Sequence, residues 1–386
     1  MPESIVIVGA GQAALKAIET LRGGGYDRPI VVLGDEAAPP YQRPPLSKAY
    51  LAGALEAHRL FFKADDFYSI NNVDLRLGVR ATAIRPTEHK LLLSDGSDLA
   101  YGKLLLATGA RPRMLALPGG ELDGVVTLRS IADVDAIRQR LQQSEKLVVI
   151  GGGYIGLEVA AVARKMGHDV TVLEGRERVM ARVVSPQVSE FFEKLHRSNG
   201  VDLRTGATIA RLVGSDGVRG VEMADGSILK ADLVLAAVGA QPNTELAEAA
   251  GLPVQDGILV DASAQTAAPD IYAAGDCTRF PSPRYGRDLR LESVQNAIDQ
   301  AKVAAQAMLG ERQTYDPVPW FWSDQYDIKL QIAGLSDGYD RTTLEAAPAN
   351  GFSVSYYKGE RLLAVDAVNA PRAHMLSRKT LAGTTA

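Results

Sequence analysis

The 386-residue chain holds one cysteine, Cys277, and five histidines. A single thiol can neither close an internal disulfide nor form a dithiol pair, which fits a reducing compartment and excludes dithiol redox chemistry. The histidines (His58, His89, His168, His196, His374) stand far apart without metal-ligand spacing, so no protein metal site is expected. Long apolar runs are also missing. Stretches such as Leu104 to Ala107 fall far below the ~20 residues that span a bilayer. Nor is there an excess of either charge, since 42 basic against 46 acidic side chains leave a net charge of −4. Without basic blocks the chain lacks the footprint of a nucleic-acid binder. Glu3 stands where an export signal needs cations, and the apolar run from Ile5 stops at Gly9, so a cytoplasmic protein is expected. Composition is ordinary for a globular chain, and the length predicts two or three domains.

What is present is one grammar used twice. The β-rich run Ser4 to Val8 leads into Gly9-Ala10-Gly11-Gln12-Ala13-Ala14, a helix-forming stretch from Leu15 to Leu21, a second strand from Ile30 to Leu33, and then Asp35 and Glu36. The strand Lys146 to Ile150 leads into Gly151-Gly152-Gly153-Tyr154-Ile155-Gly156, the Ala-rich stretch Leu157 to Met166, and the strand Asp169 to Leu173 ending at Glu174. Each unit is a dinucleotide fingerprint in its proper βαβ context. Gly9 and Gly151 permit the tight turn, Gly11 and Gly153 let backbone approach a pyrophosphate, and Ala14 and Gly156 permit close helix packing. The helix N-termini then face the phosphates. Asp35, with Glu36 as its substitute, is the candidate for the adenosine ribose of the first nucleotide. Glu174 is the candidate in the second, where its carboxylate favours NADH over NADPH. Arg176 and Arg178 work against that preference.

Each half continues alike. A hairpin-like pairing of Leu91 to Leu93 with Leu104 to Leu106 about Asp95-Gly96 precedes Ala107-Thr108-Gly109. Val221 to Met223, a turn at Asp225-Gly226 and Leu233 to Val238 precede Gly239 to Asn243. The fold expected is α/β, with one nucleotide-binding domain inserted in another: residues 1–112 and 240–318 for the first, 113–239 for the second. The strand Ile271 to Ala273 runs into Gly275-Asp276, and an amphipathic helix follows from Ser293 to Leu309. A small α+β domain over 319–386 carries Trp320 and Trp322.

The first fingerprint, Tyr41-Gln42-Arg43-Pro44-Pro45-Leu46-Ser47-Lys48, Ala107-Thr108-Gly109, the second fingerprint ending in Glu158, Ile271 to Asp276 and Pro319-Trp320-Phe321-Trp322-Ser323-Asp324-Gln325 occur in one order. In that order they resemble the FAD-dependent ferredoxin reductases of bacterial oxygenase systems, from Ile5 to about Arg378. The resemblance implies a glutathione-reductase-like fold, with FAD in the first domain, NAD in the inserted one and a C-terminal interface domain. It implies FAD contacts from Gly9, Gly11, Asp35, Arg43, Lys48, Thr108, Gly109 and Asp276. It sets Lys48 and Glu158 beside the flavin N5 edge and Trp320 near the isoalloxazine. The chain ends at Ala386, somewhat earlier than such proteins do.

Disulfide-reducing relatives carry cysteines after the first helix region, where this chain has Pro44, Leu46 and Ser47. The electron acceptor is therefore expected to be external, a small [2Fe–2S] ferredoxin or, as the alternative, a rubredoxin. A binding flavoprotein resembling apoptosis-inducing factor is the non-enzymatic alternative. Cys277 is read as a packing residue. Arg284, Arg287 and Arg290, extended by Arg312 and Lys329, are the expected docking patch for an acidic partner, the alternative being that these arginines solvate a loop or pair internally with Asp288 and Glu292.

Overall fold

A computed structural model describes residues 4–348 and 350–383, so Glu3 lies outside the described residues. Among them no helix is long and apolar enough to cross a membrane.

Two five-stranded parallel sheets carry the two fingerprints. The first runs Ile271–Ala273, Lys103–Leu106, Ile5–Val8, Ile30–Gly34, Val73–Leu77. The second runs Asp202–Arg204, Asp169–Leu173, Lys146–Ile150, Leu233–Ala236, Val125–Val126. Ile5–Val8 and Ile30–Gly34 are buried at every position, as apolar strands covered on both faces must be. In each sheet the strand that opens the fingerprint sits in the middle, so its C-terminal end faces the crevice where nucleotides bind α/β folds.

The hairpins expected in each half form differently. Lys90–Leu93 pairs with Asp98–Ala100, whereas Lys103–Leu106 joins the parallel sheet beside Ile5–Val8. Likewise Val218–Met223 pairs with Ile228–Lys230, and Leu233–Ala236 lies in the second parallel sheet. The turns explain this. Asp95 Oδ1 accepts from Ser97 N at 2.9 Å, and Asp225 Oδ1 accepts from Ser227 N at 2.9 Å. An Asp side chain that closes so tight a turn sends the chain back within three residues, before the buried leucine run begins.

The chain leaves the first sheet through Ala110–Pro112 and returns through Ala240–Pro242, and these two short strands pair antiparallel. After the helix Val294–Met308 comes an antiparallel sheet in the order Trp320–Gln325, Ile328–Gly334, Arg361–Val368, Gly351–Lys358, Arg341–Ala347. The helix Pro371–Gly383 packs on it. Trp320–Gln325 also lies against the helix Tyr154–Lys165 of the second fingerprint, joining the C-terminal sheet to a nucleotide-binding unit.

Candidate functional site

The helices Ile131–Leu141, Pro186–Ser198 and Val294–Met308 are capped by Ser130, Ser185 and Ser293. The two fingerprint helices, Gln12–Gly23 and Tyr154–Lys165, begin on Gly11 and Gly153 with no side-chain cap. Their first-turn N–H groups are therefore left for a ligand, and the helix dipole favours an anionic one. A Cβ on either Gly11 or Gly153 would meet no protein atom within 4 Å. The turn glycines are different. Gly9 has φ +108° and a Cβ there would lie 2.1 Å from the Ala107 carbonyl oxygen, and on Gly151, at φ +110°, it would lie 2.3 Å from that of Ala237. Gly156 is packed too closely for any side chain, since its Cβ would fall 2.2 Å from Gly151 O. Ala14, its counterpart, fits fully buried. Strand, tight turn and open, uncapped helix start together form two cradles of pyrophosphate chemistry, so the residues present fit dinucleotides.

At the end of the second strand of the first unit, Asp35 is half-exposed (59%) and pairs with Arg80 at 3.3 Å. Glu36 turns inward, accepting from Arg43 at 2.6 Å and from the Tyr41 hydroxyl at 2.6 Å. Arg43 also donates to the Arg129 carbonyl at 2.7 Å. Asp276 is bound by the Arg129 guanidinium at 2.9 Å, and Arg129 lies over the Gly109 turn, 3.6 Å from where a Cβ would stand. Arg129 was not among the sequence candidates, because the capping box beside it, Ser130 to Asp133, signals a helix start and not a ligand. Thr108 donates to the Asn243 carbonyl at 2.7 Å, and Asn243 Nδ2 returns a bond to Thr108 O at 2.8 Å. The Thr108 hydroxyl thus ties the chain's exit from the first sheet to its return.

Lys48, Glu158 and the strand of Trp320 meet. Lys48 Nζ lies 2.6 Å from Glu158 Oε2, with the two side chains 21% and 5% exposed. Ser47 donates to the same oxygen at 2.5 Å, and Ser323 donates to Oε1 at 2.6 Å. A buried carboxylate needs such partners. Glu158 obtains them from the loop after the first unit and from the C-terminal strand. Ser47 and Ser323 stood within the motifs read from the sequence, where a serine carries no signal of its own. Trp320 stacks on Trp322 with centroids 5.7 Å apart, and the Arg378 guanidinium lies 4.6 Å from its ring centre. His374 meets its edge at 6.1 Å.

Glu174 receives Gly152 N at 2.7 Å and Arg176 N at 2.8 Å, which holds its carboxylate beside the second glycine turn. Arg178 is committed to its own loop, donating to Val184 O and Ser189 Oγ at 2.7 Å and Ala181 O at 3.0 Å. Cys277 is fully buried beneath Leu106 and Ala274, and burial pushes its thiol above the usual value. The arginine patch is neutralised: Arg287 pairs with Asp337, Arg290 with Asp256 and Glu292, Arg312 with Asp261, and Lys329 with Asp324. Arg284 donates to the Leu381 carbonyl at 2.7 Å. Glu292 is one of the internal partners the sequence offered, whereas Asp256, Asp261 and Asp337 come from other loops that spacing in sequence does not show.

Residues 3–301 match the model of the pyridine nucleotide-disulphide oxidoreductase family, and residues 320–386 match that of the reductase C-terminal domain. The chain belongs to the pyridine nucleotide-disulphide oxidoreductases. As a member it uses FAD and a nicotinamide dinucleotide. It is 46% identical to putidaredoxin reductase CamA of Pseudomonas putida over 96% of this chain and 89% of that protein. The ferredoxin reductase of the CYP199A2 system from Rhodopseudomonas palustris superposes with a TM-score of 0.96 at 41% identity, covering 100% of this chain and 96% of that one. The reductase in the covalent putidaredoxin reductase–putidaredoxin complex gives 0.94 at 44% identity, covering 98% and 93%. The resemblance to ferredoxin reductases therefore holds along the chain. This oxidoreductase departs from its family's name in chemistry, for its one thiol is buried and has no second cysteine to pair with.

Proposed function

We propose that this oxidoreductase takes a hydride from NADH and passes electrons singly to a small [2Fe–2S] ferredoxin that serves an oxygenase, acting in the cytoplasm. FAD, when bound, supplies the change from electron pair to single electrons. The meeting of Lys48, from the segment after the first unit, with Glu158 on the uncapped helix of the second carries this reading. With FAD bound, the Lys48 ammonium would stabilise negative charge on the reduced cofactor, and Glu158 holds the lysine in place. No acid, base or thiol nucleophile is needed beyond this pair, which suits a protein whose thiol is sealed.

The division of labour we propose has residues 1–112 and 240–318 holding FAD, 113–239 holding NADH and 319–386 forming the interface. In it Gly9, Gly11 and Ala14 form the FAD phosphate turn, and Asp35 accepts from the ribose. Arg43, Thr108, Gly109 and Asp276 frame the rest of the FAD, with Arg129 added to them. Gly151, Gly153 and Gly156 form the NADH turn, and Glu174 takes its ribose. Trp320, on the strand that also supplies Ser323, flanks the flavin on the acceptor side. The likeness to a reductase solved joined to its ferredoxin partner supports a redoxin as acceptor.

The test is NADH-driven reduction of cytochrome c by the FAD-loaded protein, with and without [2Fe–2S] ferredoxins and rubredoxins. Turnover that requires a ferredoxin is expected. NADH consumption at the same rate without any redoxin overturns the proposal, and turnover with rubredoxins alone replaces the ferredoxin by a rubredoxin.

A further inference from the structure

The hydrogen bonds behind Glu158 run in one direction. His196 is fully buried, and its Nε2 lies 2.9 Å from Gln325 Oε1. An amide oxygen only accepts, so Nε2 carries the proton, and burial holds the histidine below its usual pKa and therefore neutral. Gln325 Nε2 in turn donates to Ser323 Oγ at 3.3 Å. With its oxygen occupied by that donor, the Ser323 hydroxyl turns its single proton to Glu158 Oε1 at 2.6 Å. Lys48 and Ser47 take Oε2. Every donor points toward the carboxylate, and in such a chain each bond polarises the next.

The strand Trp320–Gln325 makes this possible by alternation. Phe321, Ser323 and Gln325 face the second nucleotide-binding unit, where the Phe321 ring lies 4.7 Å from that of Tyr154, the first residue of the helix bearing Glu158. Trp320 and Trp322 face the other way. One strand of the C-terminal domain therefore fixes the rotamer of Glu158 on one face and presents indoles on the other.

We propose that Ser323 is a positioning residue for hydride transfer: it holds the Glu158 carboxylate in the orientation that sets the Lys48 ammonium, with Gln325 and His196 aligning its hydroxyl. This rests on the reading of Lys48 and Glu158 given above. Without the serine hydroxyl, Oε1 loses its side-chain donor and the carboxylate turns to share Lys48 between both oxygens, drawing the ammonium off its place.

Single-turnover reduction of the FAD-loaded protein by NADH, followed by the visible flavin absorbance, tests this. Ser323→Ala is expected to keep FAD content and NADH affinity within about twofold while slowing reduction about tenfold, the loss expected of one hydrogen bond to a charged group. In a Lys48→Ala background the same change should slow reduction by less than about twofold, because the serine acts through the lysine. Gln325→Met, which frees the hydroxyl to rotate, should slow reduction in the same sense and lose its effect in the same background. A wild-type rate in Ser323→Ala overturns the inference, as does a full multiplicative effect in the double variants, and a wild-type rate in Gln325→Met alone takes Gln325 and His196 out of it. If Lys48→Ala itself reduces at the wild-type rate, the reading of the ion pair falls, and the serine's role falls with it. A slow Lys48→Ala beside a wild-type Ser323→Ala removes only the serine.

Discussion

Arg129 lies 2.9 Å from Asp276, although 147 residues separate them in sequence, and its backbone carbonyl accepts from Arg43. The pair ties the segment just before the helix Ile131–Leu141 to the turn that follows the Ile271–Ala273 strand. A guanidinium so placed orients Asp276, and in the cofactor site proposed above it would offer further donors to a flavin nucleotide.

Arg129→Ala should accordingly weaken FAD binding about tenfold or more, since it removes a charged hydrogen-bond partner from Asp276. Titration of the apoprotein with FAD, followed by quenching of flavin fluorescence, measures this. Unchanged affinity would take Arg129 out of the cofactor site and leave it a structural pair.

Glu174→Ala should lower kcat/KM for NADH about tenfold or more and raise the ratio of NADPH to NADH use, because its carboxylate is already aimed beside the second glycine turn. Arg178 should contribute nothing to NADPH use, its donors being taken by its own loop. Steady-state kinetics with both cofactors decide the matter, and a variant that retains the wild-type ratio contradicts the assignment.

Cys277→Ser should leave FAD content and turnover within about twofold of wild type, because a serine hydroxyl can take over the weak bonds to the Leu106 and Ala274 carbonyls. The native thiol should resist aromatic disulfide reagents until the protein unfolds, since burial holds it protonated. Rapid labelling of the native protein, or loss of turnover with FAD still bound, would give this thiol a role it has not been assigned.

Asp366 links stability to pH. Burial raises its pKa from 3.8 to about 7, while Tyr356 donates to its Oδ2. The folded protein therefore keeps a proton that the unfolded chain gives up between these values. The contribution to stability is full below the unfolded pKa and is lost as pH rises toward 7, at up to about 1.4 kcal/mol per pH unit. His196 and His374 act oppositely, since burial lowers both and their share is lost as pH falls below the ordinary histidine value. Thermal unfolding of Asp366→Asn beside wild type isolates the acid. The variant should gain on wild type between pH 5 and pH 8, and a constant difference across that range would count against a raised pKa.

Much of the fold was legible locally. The strands Lys146–Ile150 and Asp169–Leu173 fall where the apolar runs put them, and the first glycine of each turn, Gly9 and Gly151, sits at positive φ where the chain must reverse at once. Five helices among the described residues, Ile131–Leu141, Pro186–Ser198, Pro371–Gly383 and the short Asp66–Ile70 and Glu245–Ala249, were not read. The first two had usable signals, a Ser130–Asp133 capping box and Ser185 before Pro186, but they follow no glycine turn and complete no repeated unit.

Period, turn chemistry and spacing are properties of neighbouring residues, so they mark two βαβ units, their glycine turns and the acids closing their second strands. The partner of a side chain is a property of space, and it is set by packing. Packing sent Leu104–Leu106 into a parallel sheet, gave the candidate docking arginines their acids, and left Asp35 outside while turning Glu36 onto Arg43. It also joined Lys48, Glu158 and Ser323, which lie on a loop, a helix and a strand separated by 110 and 165 residues. A buried carboxylate must be satisfied by whatever donors the packed elements bring within reach, and no local pattern records which those will be.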